Sequence, residues 1–389
     1  MALQLDIKRI KGLQTPLYYY DLGVLHQTLT DLQKNAEPHG YHVHYALKAN
    51  SNPEILHMVR QFGLGADCVS GNEVKRALEC GFAPESIVFA GVGKSDEEII
   101  LALDADIFCF NCESRQEIRV IDELAAQRGK QARIALRINP NVNANTHKYI
   151  TTGLEENKFG INVWELDKTL ETLKKSSNIQ LVGLHFHIGS QILDLEAFKG
   201  LCTRVNEIQQ WFYGHHIIVD HINLGGGLGV DYHHPDEHAI PDFKAYFDIF
   251  QKFLEPRPKQ KIHFELGRAI VAQCGSLISK VLYVKKGVKT NFAILDAGMT
   301  ELIRPALYQS YHKIESLTPR KGEGEEKYDV VGPICESSDC FGKAVELPVV
   351  KRGDLIAIRT TGAYSEVMAS FYNLRTKAPA VYAEVSVIS

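Results

Sequence analysis

The chain has 389 residues, 45% hydrophobic and 23% charged, with a formal net charge of −4 and no basic block. That length is enough for two domains with more than one core, and that charge argues against nucleic acid or an anionic membrane as a partner. The opening MALQLDIKRIKG lacks the apolar core of a signal peptide, and no apolar run is long enough to span a bilayer, so a cytoplasmic protein is expected. Eight scattered cysteines are read as reduced thiols.

In chain order, TPLYYYDL is β-like, and it precedes a series of short β-rich runs separated by amphipathic helical stretches. The runs are YHVHYALK, GADCVS, SIVFAG, DIFCFN, RIALRINP, LVGLHFHIG, HINLGGG and KIHFELGR; NEVKRALECGF, ESRQEIRVIDELAAQR and EAFKGLCTRVNEIQQWFYG are among the helical stretches. Strand–helix alternation implies a parallel sheet. Eight strands across roughly 230 residues fit a closed (β/α)8 barrel better than an open doubly wound sheet. No G-x-G-x-x-G follows the first strand, which weakens a dinucleotide fold further. Cys109 and Cys112 lie on a predicted strand with no second pair, and His233, His234 and His238 lie in a polar loop; no metal is expected at either.

After about Cys274 the pattern changes to alternating strands: SLISKVLYVKK, NFAILDAGM, YDVVGPICE, DLIAIRTTGAY and PAVYAEVSVI. The polar stretch LTPRKGEGEEK, residues 317–327, reads as a flexible surface loop. The expected organisation is a barrel over 25–274 and a C-terminal β-domain over 275–389, joined by the N-terminal strand within 1–24.

In such a barrel, chemistry concentrates at the C-terminal ends of the strands. Lys48 is read as the last position of the first barrel strand, and Asp67 lies in the second. His187 and Ser190 follow the sixth, Gly225, Gly226 and Gly227 end the seventh, and Glu265, Leu266, Gly267 and Arg268 end the eighth. Each has an ordinary alternative. A lysine after a strand is usually solvated, His187 could be a core histidine, three glycines could be a tight turn, and Glu265 could pair with Arg268. Together they meet the needs of pyridoxal phosphate. Lys48 could supply the amine for a Schiff base, and the glycines, Ser190 and Arg268 could hold the phosphate. Glu265 could keep the ring nitrogen protonated, and His187 could stack on the ring.

The motifs YALKAN, HFHIGSQI, NLGGGLGVDY, FELGRAIV, LIRPALY, GPICESSD and GAYSEVMASFYN resemble those of diaminopimelate decarboxylases. These are pyridoxal phosphate enzymes of the alanine-racemase fold, alongside ornithine and arginine decarboxylases. The resemblance runs from about residue 15 to 375, with the motifs in order. It implies Lys48 as the Schiff-base lysine, His187 stacked on the ring, Ser190 and Gly225 to Gly227 on the phosphate, Glu265 at the ring nitrogen, Arg268 near phosphate and substrate, and Tyr364 reaching the phosphate. It further implies Cys335 as proton donor, acting in the partner's site of an obligate homodimer with shared active sites. Leu266 stands where proline is the common form; Glu265, Gly267 and Arg268 keep their spacing.

The same resemblance assigns the far end of the substrate to Arg304 and Tyr308, with Arg268 helping, for a distal carboxylate, and to Glu336, for a distal ammonium, and it places Tyr364 at the substrate as well. A buried arginine facing no anion is costly, which favours meso-diaminopimelate over ornithine or lysine. The implied reaction is loss of the α-carboxylate to give L-lysine. Alternatives are an ornithine- or arginine-type decarboxylase, a catalytically dead regulatory homologue, and a racemase, against which GPICESSD argues.

Overall fold

The computed structural model describes residues 5, 7–142, 158–320 and 322–383. The strands are β1 (Leu17–Asp21), β2 (His42–Ala46), β3 (Gly65–Cys68), β4 (Ile87–Phe89), β5 (Cys109–Cys112), β6 (Ala132–Arg137), β7 (Ile179–His185), β8 (His221–Asn223) and β9 (Lys261–Leu266). They continue with β10 (Gly275–Lys286), β11 (Asn291–Leu295), β12 (Ile314–Ser316), β13 (Glu325–Val331), β14 (Cys340–Pro348), β15 (Leu355–Arg359) and β16 (Ala380–Ala383). The chain divides into two units, one comprising residues 29–229 and 242–267, the other 1–28, 230–241 and 268–389.

In the first unit β2 to β9 close a parallel barrel, β9 returning to β2 with Glu265 beside His44. All eight predicted barrel strands form. Three of the intervening helices begin with the same device. Ser70, Ser95 and Ser114 each accept a hydrogen bond from the backbone N–H of a glutamate three residues on, Glu73, Glu98 and Glu117, satisfying a donor that the first turn leaves open. One expectation needs correction: β2 ends at Ala46, and Lys48 sits in a 3-10 turn, Leu47–Ala49, leading to the Pro53–Gln61 helix.

The second unit is an eight-stranded, mostly antiparallel sheet. The N-terminal β1 lies within it, antiparallel to β10 and parallel to β16. Ile10, Leu17, Tyr19, Ile278, Leu317, Leu355 and Ala357 form a core cluster on this sheet. The short β12 and the longer β14 were not expected. Within 317–327, Leu317 is buried and β13 has begun by Glu325, so the stretch is not a loop throughout. Residues 384–389, the end of the last predicted strand, lie outside the described residues.

The barrel's N-terminal end has an unusual filling. Ser86's carbonyl meets His44 Nδ1 at 3.1 Å, His44 Nε2 meets His263 Nδ1 at 2.9 Å, and His263 Nε2 meets His221 Nδ1 at 2.8 Å. A carbonyl can only accept, so His44 must donate from Nδ1; each neutral ring then passes the same orientation to the next. The rings line a cavity of about 280 Å³ with His42 and Lys261. Burial, above all, lowers the histidines, His44 and His221 each to about 4. The charges of Lys261 and the other histidines act in the same direction, while Glu265 at His44 and Asp220 at His221 oppose it.

A histidine whose folded value lies below its unfolded value of about 6.5 contributes stability that is full above pH 6.5 and lost as pH falls toward 4. For His44 alone the loss at pH 4.5 is about 2–3 kcal/mol. Urea unfolding at pH 7.5 and pH 4.5 should show it, with a smaller fall in His44→Asn; an equal fall in both would remove His44 from the effect.

Candidate active site

On the inner face of the barrel, Glu265 of β9 is held by three other strands. Its Oε1 accepts from Asn111 Nδ2 on β5 at 3.0 Å and from Asn223 Nδ2 on β8 at 2.7 Å; its Oε2 lies 2.9 Å from His185 Nε2 on β7. Burial pushes this carboxyl up, but the charge and hydrogen bond of His185, with the charge of Lys48, outweigh it and hold Glu265 below the usual range. A carboxylate offers about four acceptor positions, so three donors leave one open.

Lys48 Nζ stands 3.8 Å from Asp67 Oδ2, the ammonium partly exposed and the carboxylate buried. Neither Asp67 oxygen has a hydrogen-bond partner. Burial, then the charge of Glu265, raise its carboxyl well above the usual range, against the pull of Lys48. A buried acid this poorly satisfied is expensive, and such perturbed groups mark functional sites.

The phosphate candidates are brought together by backbone pairing. Ile192 N–H donates to Gly227 O and Gly229 N–H to Ile192 O, each at 2.9 Å, which sets the loop of His187 and Ser190 beside Gly225 to Gly227. The glycines are required by the barrel itself: a Cβ at Gly226 would overlap the carbonyl oxygen of Glu265, and Gly225 has φ +66°. His187 Nδ1 accepts from Gly226 N–H at 3.3 Å. Burial and the charges of Arg137 and Lys48 hold it well below its ordinary value, so the ring is neutral. Leu266 is fully buried and, by strand alternation, faces away from Glu265. Gly267 packs against Ala46 and Ala49, on the turn of Lys48.

The second unit holds a cationic cluster. Arg268 and Arg304 are both buried. Arg268 lies 4.8 Å over the Tyr364 ring and donates to the Tyr232 hydroxyl at 2.6 Å. Arg304 lies over the rings of Tyr232 and Tyr308, at 5.9 and 5.7 Å. Its Nε has no hydrogen-bond partner, and among the described residues it pairs with no carboxylate. Tyr364 has φ +57°, a left-handed conformation costly for a bulky residue and typical of functional sites. Cys335 and Glu336 are exposed; Glu336 Oε1 accepts from the Tyr372 hydroxyl at 2.7 Å. Their loop is anchored by Asp339, a buried carboxylate that accepts from Ile334 N–H at 2.7 Å and Met299 N–H at 2.6 Å.

Residues 22–272 match the family model described as the pyridoxal binding domain of pyridoxal-dependent decarboxylases. A diaminopimelate decarboxylase of Bacteroides thetaiotaomicron is 59% identical over 370 residues, covering 95% of each chain. That of Aquifex aeolicus is 40% identical, covering 95% of this chain and 87% of its own. The crystal structure of the Helicobacter pylori diaminopimelate decarboxylase complexed with L-lysine superposes with a TM-score of 0.91 at 41% identity, covering 97% of this chain and 93% of that one. The chain belongs to the diaminopimelate decarboxylase family. Like the family, it is a pyridoxal phosphate-dependent carboxy-lyase on a TIM-like barrel.

For a diaminopimelate decarboxylase, the residues present fit the cofactor. The orphaned Asp67 carboxylate beside an accessible amine, and a glutamate with one acceptor position open, suit a group that brings an aldehyde and a protonated ring nitrogen. Sequence reasoning missed the residues that hold the candidate side chains: Asn111, Asn223 and His185 on Glu265, Tyr232 on Arg268, and Asp339 at the loop of Cys335. The available signal was a polar residue on an otherwise apolar parallel strand, as in FCFNC and HINL, where Asn111 and Asn223 stand.

Glu265→Gln in this diaminopimelate decarboxylase would turn an amide NH2 toward donors that now meet a carboxylate. We expect a stability loss of about 1–3 kcal/mol in urea unfolding of the cofactor-free protein, together with loss of most turnover. A variant as stable and active as wild type would contradict the donor network.

Proposed function

We propose that the chain converts meso-2,6-diaminopimelate to L-lysine and carbon dioxide, with pyridoxal phosphate as cofactor. The single observation that carries the substrate reading is Arg304, a buried guanidinium with no carboxylate partner among the described residues. An unpaired buried cation disfavours any substrate whose far end lacks an anion, and diaminopimelate has a carboxylate there where ornithine and lysine have none. Tyr308 would share that carboxylate and Glu336 would take the distal ammonium.

When bound, pyridoxal phosphate accepts the electron pair left on the α-carbon as carbon dioxide departs. The chain's own residues do the rest. Lys48 presents the amine that binds the aldehyde, with the buried Asp67 carboxyl 3.8 Å away. Glu265, ionised and held by three donors, keeps a proton at the ring nitrogen. His187 offers a neutral ring face, Ser190, Gly225 to Gly227 and Tyr364 take the phosphate, and Arg268 serves both phosphate and substrate. Gly267 lets the turn pack closely, and Leu266 contributes backbone only. Cys335 delivers a proton to the α-carbon.

We also propose a homodimer in which Cys335 and Glu336 serve the partner's site. Supporting this, both are exposed in the single chain, and Phe371, Tyr372 and Leu374, following GAYSEVMAS, are exposed too, Leu374 almost completely (96%). Exposed apolar clusters of this kind usually mark an interface. A cytoplasmic location is supported by eight cysteines none of which is in a disulfide. No helix among the described residues is long and apolar enough to cross a membrane.

The deciding experiment supplies meso-diaminopimelate and pyridoxal phosphate and measures carbon dioxide and L-lysine. Equal amounts of both are expected; their absence from cofactor-loaded protein overturns the reading. Arg304→Ala should lower kcat/KM by the equivalent of about 2–5 kcal/mol, with each ~1.4 kcal/mol a factor of ten. Unchanged preference for diaminopimelate over lysine would remove Arg304 from the substrate.

Cys335→Ala should slow turnover by roughly 10²–10⁴-fold while the cofactor still binds. Mixing it with Lys48→Ala protein tests the shared site. In a mixed dimer one of two sites has both native residues, so random reassortment should recover roughly a quarter of wild-type activity. Mixed dimers that form but stay inactive would place both residues of a site on one chain.

A further inference from the structure

Tyr232 lies between two buried guanidiniums and has no assigned role. Its hydroxyl oxygen accepts from Arg268 Nη1 at 2.6 Å, and its ring face lies 5.9 Å from Arg304. Two like charges in one desolvated cluster repel, and each lowers the other's tolerance for burial. A phenol placed this way holds both at once, one by a hydrogen bond and one by the ring quadrupole. Its own acidity reflects them: burial raises the phenol, but the two arginine charges outweigh it and leave Tyr232 below the ordinary tyrosine value.

Tyr232 is itself held from behind. The His312 ring meets it edge-on at 5.0 Å, and His312 Nδ1 donates to the Arg359 carbonyl at 3.0 Å. On the chain beside it, Asp231 accepts from the backbone N–H of His233 and of His234, while Gln273 Nε2 donates to the Asp231 carbonyl at 2.8 Å. An aromatic residue fixed at backbone and ring, touching both cations, has the properties of a preorganised spacer.

We infer that Tyr232 is a specificity-determining positioning residue that sets the separation of Arg268 and Arg304 for the substrate's distal carboxylate. It acts through the arginines and not on the reacting atoms. The inference rests on the proposed substrate: the distal carboxylate that diaminopimelate has and lysine lacks is the anion the two cations would meet.

The test uses the cofactor-loaded protein and pimelate, the seven-carbon dicarboxylate without amino groups. Tyr232→Phe keeps the ring and removes the oxygen; His312→Asn leaves Tyr232 intact and removes its backing. Calorimetry should show pimelate binding at least tenfold weaker in Tyr232→Phe and weakened less in His312→Asn. Steady-state kinetics should show kcat/KM for meso-diaminopimelate falling mainly through KM, with the preference over D-lysine falling too. A variant that only loosened the fold would lose both substrates alike, and that result would overturn the inference. So would wild-type affinity for pimelate in Tyr232→Phe, or a wild-type protein that does not bind pimelate at all. A wild-type protein that binds pimelate but releases no carbon dioxide from diaminopimelate would overturn the proposed activity and leave the spacing role standing.

Discussion

Taking an ionised carboxylate out of water costs several kcal/mol unless donors replace the lost hydration, and Glu265 meets that requirement inside a closed sheet. Its donors come from β5, β7 and β8, so four of the eight strands converge on one side chain. Barrels of this type usually fill their interior with branched aliphatic residues. Here Glu265, Asn111, Asn223 and His185 occupy that space instead, and Asp67 and Lys48 face the same region electrostatically. A carboxylate held by donors from three strands is rigidly placed, and rigidity suits a group that has to stay charged beside a cofactor.

The second unit solves the opposite problem with opposite means. Arg304 has no carboxylate among the described residues, and aromatic faces take its place. Rings solvate a guanidinium without neutralising it, so the cation keeps its demand for an anion. A paired arginine would be more stable and less useful. The cost of leaving it unpaired is what makes the site selective.

Much of this was legible in the sequence, because strand number, order and the strand-end residues follow from local pattern. Each of the eight barrel strands was visible as a short β-rich run bounded by helical periodicity. The errors were local or relational. Lys48 follows β2 by two residues since Leu47–Ala49 turns before the helix. The stretch β14 holds FGKAVELP, whose exposed charges disguise an edge strand. Asn111, Asn223, His185 and Tyr232 were missed for a different reason. Their meaning lies in what each one touches, and the contact partners lie 154, 42, 80 and 36 residues away. The histidine chain was invisible for the same reason, since each link joins a different pair of strands.

The position of β1 has a consequence for the order in which the protein can be made. Tyr18 and Tyr20 emerge first from the ribosome, yet their hydroxyls bond Glu301 and Glu366, residues 283 and 346 positions later. Residues 29–267, with one excursion, already contain every strand of the barrel, so that unit has all its pieces while much of the chain is still unsynthesised. The tyrosine-rich β1 has to wait. During that interval an apolar β-forming segment is exposed, and long-range pairings of this kind are slow to close. Translation speed through residues 275–383 therefore sets how long the nascent chain carries β1 without its partners β10 and β16.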